Sequence, residues 1–292
     1  MARKSRNKSG RKLSSRQREK RRLSPKERRL AERKHNLRKA AAIIGTVFVL
    51  ASAIVWVGLS NPELKVKADT LCRADNVLSS HTIVLIDATD KLPNPDIEYL
   101  RQLIFEEKDN LQIHDKFSLL LLNDNVDNAL SEMFSLCNPG QGSQFGSLTE
   151  SQKRRQALWS SKFGEPLEST LGKLEKLNEG KQTPLLEALW SISRRYDFGR
   201  KVGKRKLILV SDMLHYTPEF SQYNGNYTYD KLEDNNYFEN IEADLSGVDI
   251  QIFYIHRRKV SATQGKHHRK FWREYFQDAG AGKIRYEPPL AD

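Results

Sequence analysis

The apolar positions of the chain fall into two regimes. Residues 40–60 read AAAIIGTVFVLASAIVWVGLS, with no charged side chain. At about 1.5 Å rise per residue this stretch spans roughly the 30 Å hydrocarbon core of a bilayer, and it predicts a transmembrane helix. A buried core helix would normally carry a polar face, and the apolar region of a signal peptide is typically about 7 to 15 residues. Trp56, near the far end, sits where an interfacial anchor would. Residues 61–80 are polar, open with Asn61-Pro62, and read as a linker. From His81 onward, short apolar runs alternate with helical periodicity, the pattern of an α/β fold. HTIVLIDAT (81–89), FSLLLLN (117–123), KLILVSD (206–212) and VDIQIFYI (248–255) are continuous runs of the kind that strands buried on both faces show. SEMFSLC (131–137), after the Asp124-Asn125 turn signal, predicts a strand in a hairpin with the second run, and KIRY (283–286) a short last strand. Helices are predicted over 95–109, with Pro95 in its first turn, over 183–196, with Thr183 as cap and Pro184 in its first turn, and over 266–280, ended by Gly280. Between them, 138–147 is a Gly/Ser/Asn loop, and the helical segment that follows to about 178 is interrupted at Gly164 and Pro166.

Charge changes the picture at one end. The chain carries 49 Lys and Arg against 37 Asp and Glu, but 18 of the basic residues and only 3 Glu lie in residues 1–39. The remaining residues are mildly acidic, so the basic balance belongs to a tail and does not mark a nucleic-acid-binding domain. The tail has too few apolar residues to fold alone and reads as disordered or transiently helical. Arg33, Lys34, Arg38 and Lys39 precede the apolar helix while Lys65 and Lys67 follow it. The positive-inside rule therefore predicts a single-pass signal-anchor in an inner or plasma membrane, N-terminus cytoplasmic and body periplasmic or extracellular. The tail's expected partner is anionic lipid, at roughly 1 kcal/mol per basic residue near the surface. It has no aromatic side chains for base stacking, so nucleic acid is not an expected partner.

Two cysteines exclude a disulfide-dense scaffold or a cysteine-rich zinc module. In an exported body Cys72 and Cys137 are expected to pair, closing a loop of about 65 residues and stabilising by a few kcal/mol. Other chemistry is thin. His81, His114, His215, His256, His267 and His268 show no metal-ligand spacing, no Gly-x-Ser-x-Gly elbow occurs, and the glycines of 138–147 do not match a P-loop. Asn226-Tyr227-Thr228 is a glycosylation sequon only in a host that glycosylates exported Asn.

Over roughly residues 80–288 the pattern resembles a von Willebrand factor A-like domain. Asp87-Ala88-Thr89-Asp90-Lys91 stands where that family has an Asp-x-Ser-x-Ser motif after the first strand. Thr183 stands at its central-helix threonine and Asp212 at the Asp after its fourth strand. The resemblance implies a doubly wound, Rossmann-like sheet and a metal-ion-dependent adhesion site at the strand ends. Lys91 replaces the second serine of the motif, and an ammonium cannot ligate a metal. Two readings follow: Asp87, Thr89, Thr183 and Asp212 hold a hydrated Mg²⁺, or Lys91 neutralises Asp87 and Asp212 in a metal-free cluster.

The expected organisation is thus a basic tail (1–39), a transmembrane helix (40–60), a linker (61–80) and a von Willebrand factor A-like body (81–292). The expected function is a membrane-anchored module that binds or scaffolds a protein partner of the same membrane or extracytoplasmic space, without catalysis. Asp87, Thr89, Thr183, Asp212 and the Tyr-rich stretch 216–237 would form its binding face. Two alternatives stand beside it: a metal-assisted hydrolase of a phosphate or glycan substrate, and a membrane sensor whose basic cytoplasmic tail binds anionic lipid or nucleic acid.

Overall fold

A computed structural model of the chain describes residues 24–60, 65–89, 92, 94–140, 150–174, 180–223, 225 and 227–287. The chain divides into two units, Met1–Glu63 and Leu64–Asp292.

In the first unit, helix α1 spans Pro25–Ser60. It includes the whole apolar stretch and is long and apolar enough to cross a membrane. It begins some fifteen residues before that stretch, inside the basic segment: the Ser24 and Glu27 side chains each meet the other residue's backbone amide, a capping box at the start of the helix. The part of the tail from residue 25 is therefore helical.

The second unit is a six-stranded sheet with order β3-β2-β1-β4-β5-β6. Its strands are β1 (Ser80–Asp87), β2 (Lys116–Leu122), β3 (Leu130–Cys137), β4 (Lys204–Ser211), β5 (Asp249–Tyr254) and β6 (Ile284–Glu287). All neighbours pair in parallel except β2 and β3, the expected hairpin. Helix α2 (Asn94–Asn110) links β1 to β2. Between β3 and β4 come α3 (Glu150–Trp159), α4 (Glu165–Leu171) and α5 (Leu185–Ser193). The short α6 (Tyr229–Glu233) lies between β4 and β5, and α7 (Lys266–Asp278) between β5 and β6.

Alternation along the central strands divides the core in two. Ile83 and Leu85, with Leu207 and Leu209, face α5 and α7, where Leu189, Phe271, Trp272 and Phe276 complete the packing. Val84 and Ile86, with Ile208 and Val210, face α2 and α4, against Leu100, Ile104, Phe163 and Leu167. Helices on both faces are why these strands carry no polar alternation. Gly164 does not break the helical segment. A π-turn over Ser160–Gly164 joins α3 to α4, and a Cβ on Gly164 would come within 3.0 Å of the Trp159 ring.

The body's packing starts before β1. Residues from 65 on belong to it: Leu71 and Cys72 are buried, Val66 bridges Arg73, and Cys137 N–H donates to the Thr70 carbonyl at 2.9 Å. The Cys72–Cys137 disulfide is formed. Only the first residues after α1, 61–64, remain of the expected linker, and these lie outside the described residues.

Candidate functional site

The order of the sheet reverses at β1, whose neighbours β2 and β4 are reached by crossovers in opposite directions. In an open α/β sheet this switch point leaves a crevice at the carboxyl ends of the strands, where ligands bind. Asp87 ends β1 and Asp212 follows the last residue of β4, so both acids of the motif arrive there, each almost fully buried.

A hydroxyl network holds Asp87. Its Oδ1 accepts from the Thr89 hydroxyl at 2.6 Å and from the Thr89 amide at 3.1 Å, an Asx-type turn, and its Oδ2 accepts from Ser211 Oγ at 2.7 Å. Thr89 Oγ1 lies 2.9 Å from Thr183 Oγ1. The loop bearing Thr183 is brought in through backbone contacts: Gly180 N–H donates to the Thr89 carbonyl at 2.7 Å, and Thr183 pairs with Tyr216. Gly180 has to be glycine for that approach, since a Cβ there would come within 2.8 Å of Asp124 Cβ. Thr183 does not cap α5 as expected. Pro184 is the N-cap residue, no side chain caps the helix, and the Thr183 hydroxyl is turned toward Thr89.

Asp212 is held differently. Its Oδ1 accepts from Leu214 N–H at 2.9 Å and its Oδ2 faces Arg257 Nε at 3.3 Å. Gln264 secures both partners, donating to the Asp212 and Ile255 carbonyls at 3.0 and 2.8 Å and accepting from Arg257 N–H at 2.6 Å. Met213 adopts a left-handed backbone (φ 60°), a conformation costing roughly 1–2 kcal/mol outside glycine. Its amide donates to Ser211 Oγ, and its carbonyl accepts from Trp272 Nε1 at 2.8 Å and His268 Nε2 at 3.0 Å. Helix α7 thus pins the Asp212 loop from below.

The structure brings together four of the five expected residues: Asp87, Thr89, Thr183 and Asp212. Lys91, like Asp90 and Asn226, lies outside the described residues. Three participants were missed. Ser211 adjoins Asp212 in sequence, while Arg257 and Gln264 follow β5, the strand beside β4; their place at a strand's carboxyl end was the available signal.

As a metal centre the set fits poorly. Both Asp87 oxygens accept from the chain's own donors, and the Asp212 carboxylate has a guanidinium beside it, which cannot ligate a cation and repels one. Among the described residues no group of three or more His, Cys, Asp or Glu is arranged for a metal.

The Tyr-rich stretch 216–237 divides. Tyr227 and Tyr229 are buried against α7, and the Tyr237 hydroxyl donates to buried Glu187. Tyr216 and Tyr223 are 44% and 42% exposed, their rings 5.8 Å apart in an edge-to-face pair beside Thr183.

The chain matches no family model and no curated protein. Among solved structures it is similar to an aerotolerance-related membrane protein of Bacteroides fragilis (9% identity, 72% of this chain and 91% of that one, TM-score 0.33). It is also similar to BatB of Bacteroides thetaiotaomicron (13%, 70% and 89%, TM-score 0.36). A third likeness is to a von Willebrand factor type A protein of Catenulispora acidiphila (13%, 70% and 42%, TM-score 0.37). The fold itself rests on the sheet: a doubly wound arrangement with Asp87, Thr183 and Asp212 at its switch point, as the von Willebrand factor A resemblance implies.

Proposed function

We propose that the chain is a membrane-anchored, non-catalytic module that binds a protein partner through the carboxyl-end face of its sheet, in the extracytoplasmic space. The observation that carries this reading is the half-exposed Tyr216–Tyr223 pair joined through the Thr183–Tyr216 bridge to a buried, internally satisfied polar cluster. Paired tyrosines offer large apolar area with few rotamers to freeze, on a loop that the cluster holds rigid. Catalysis has less support: Asp87, which a hydrolase at this site would use as nucleophile or metal ligand, is 3% exposed with both oxygens engaged. The basic flank of α1 supports the expected orientation. The guanidinium of Arg257 beside Asp212 supports a partner contact that needs no metal.

A photo-crosslinking amino acid at Tyr223, in intact cells, tests the reading, with the same probe at exposed Tyr99 on α2 as the control. The expected result is a discrete adduct from position 223, absent from position 99, weakened by Tyr216→Ala and unchanged by EDTA. No adduct at 223, or the same adducts at both positions, overturns the binding face. Loss on EDTA alone overturns metal independence and leaves the face standing.

A further inference from the structure

At the opposite end of the body, beside the amino ends of the strands, lies a cavity of about 430 Å³. It is bounded by the segment before β1, the first residue of β2 and the loop before β4. That size suits a small molecule or a headgroup. Three lysines, Lys67, Lys116 and Lys201, line it, against one acid, Asp197.

The acid is already satisfied. Asp197 accepts from Lys116 Nζ at 2.6 Å and from Arg195 Nε at 3.0 Å. Burial disfavours its charge, but these two cations hold its pKa down to about 2. Lys116 is itself buried, its side chain 7% exposed, and an ammonium has three donors. Lys67 donates to Asn76 Oδ1 at 2.6 Å, which fixes its direction at the cavity wall, and Lys201 is exposed. Val202 and Leu78 give the cavity an apolar side, and Tyr196, 90% exposed, stands at its edge.

We propose that this cavity binds an organic phosphate of headgroup size, its anionic group received by Lys67 and Lys201 over Lys116 and its carbon part lying against Val202 and the Tyr196 ring. A phosphate meeting ammonium donors in a partly desolvated cleft forms charge-assisted hydrogen bonds, stronger than those it gives up to water. The chemistry has two sources, a free glycerol phosphate or the headgroup of an anionic phospholipid.

The test reads lysine acylation by peptide mass spectrometry on the full-length protein. Glycerol phosphate is titrated in detergent, and phosphatidylglycerol and phosphatidylcholine nanodiscs are compared. Acylation of Lys67 and Lys201 is expected to slow about fourfold at a probe concentration about three times its dissociation constant, saturably, while Lys259 is unaffected. Lys201→Gln, an exposed change, should remove the slowing at Lys67 without altering the melting temperature. Protection by glycerol phosphate supports a free ligand. Protection in phosphatidylglycerol discs beyond that in phosphatidylcholine supports the lipid. The proposal is overturned if none of these probes protects Lys67 and Lys201, or if protection of Lys67 survives unchanged in Lys201→Gln.

Discussion

Glu187 is a carboxyl placed inside the core. It is 4% exposed on α5, its Oε1 accepts from the Tyr237 hydroxyl, and its Oε2 has no hydrogen-bond partner. His215 Nδ1 lies 3.8 Å away, but full burial lowers the imidazole pKa to about 3, so it brings no charge to the pair. Burial accordingly raises the Glu187 pKa above its ordinary value. An acid raised in this way costs stability at pH above its unfolded pKa, where the unfolded chain ionises more freely than the folded one. Glu187→Gln keeps an acceptor for Tyr237 and removes the ionisable group. We expect it to be neutral or to stabilise by about 1 kcal/mol at pH 7, with the gain shrinking toward pH 4.5. Urea unfolding of both proteins at the two pH values checks this, and a gain that grows as pH falls would contradict the assignment.

At the scale of elements, the segment 65–79 is held to the sheet by few contacts, and the disulfide is the strongest of them. Closing a 65-residue loop is worth about 4 kcal/mol in the chain-entropy model. Replacing both cysteines by serine should cost a sizeable part of that. Hydrogen exchange should accelerate at Lys67 and Cys137, whose amides bond to the Cys72 and Thr70 carbonyls, well before it does in β1 or β4. Equal acceleration throughout the body would show that the segment is not a separate cooperative unit. A further contact is the loop before β4, where Gly203 N–H donates to the Leu78 carbonyl and a Cβ would meet the Ser79 carbonyl at 2.5 Å. Because backbone cannot yield as a side chain does, Gly203→Ala should destabilise by about 1–3 kcal/mol in a thermal melt.

The legibility of these elements in the sequence follows from the range of the forces that set them. β1, β2, β4 and β5 were readable because helices cover both sides of the sheet, so each strand is a continuous apolar run. Residues 65–79 were not, because their attachment depends on one covalent bond and a few backbone contacts rather than on apolar periodicity. The start of α5 escapes local pattern because a threonine hydroxyl before a proline has two uses. Its partner Thr89 lies 94 residues away, where local pattern has no view. Asp87, Thr89, Thr183 and Asp212 emerged from a motif; Arg257, 45 residues beyond Asp212, emerged only when β4 and β5 were laid side by side.

Across the whole body, three histidines are built in as neutral groups, and acid stability follows from them. His81 Nδ1–H donates to the Asp197 carbonyl while Nε2 accepts from Ser118 Oγ, both at 2.8 Å. His268 Nδ1 accepts from the Tyr254 hydroxyl at 2.5 Å while its Nε2–H donates to the Met213 carbonyl. His215 Nδ1 accepts from Leu186 N–H at 3.4 Å. Protonation would bury a charge in each ring, and at His215 it would also remove the bond from Leu186 N–H, whereas the Ser118 and Tyr254 hydroxyls can turn to accept. Burial is the largest cause of the lowered pKa values, about 4 for His81 and His268 and about 3 for His215. The unfolded chain titrates near 6.5, so below that pH it binds more protons than the folded chain does. Stability is complete above about pH 6.5 and falls as pH drops toward 4, by up to about 1.4 kcal/mol per pH unit for each histidine. Asp197, with its pKa of about 2, adds its loss only in more acid solution, below the ordinary carboxylate range. The melting temperature of the body, followed through buried Trp272, should therefore hold steady from pH 8 to 7 and descend steeply from 6 to 4.5. His268 and His215 flank the Asp212 loop, so the same descent should release the Tyr216–Tyr223 face before the sheet melts. A crosslink at Tyr223 that fades between pH 6 and 5, ahead of the loss of near-ultraviolet dichroism, would show that order of events. Simultaneous loss would make the site and the sheet one cooperative unit.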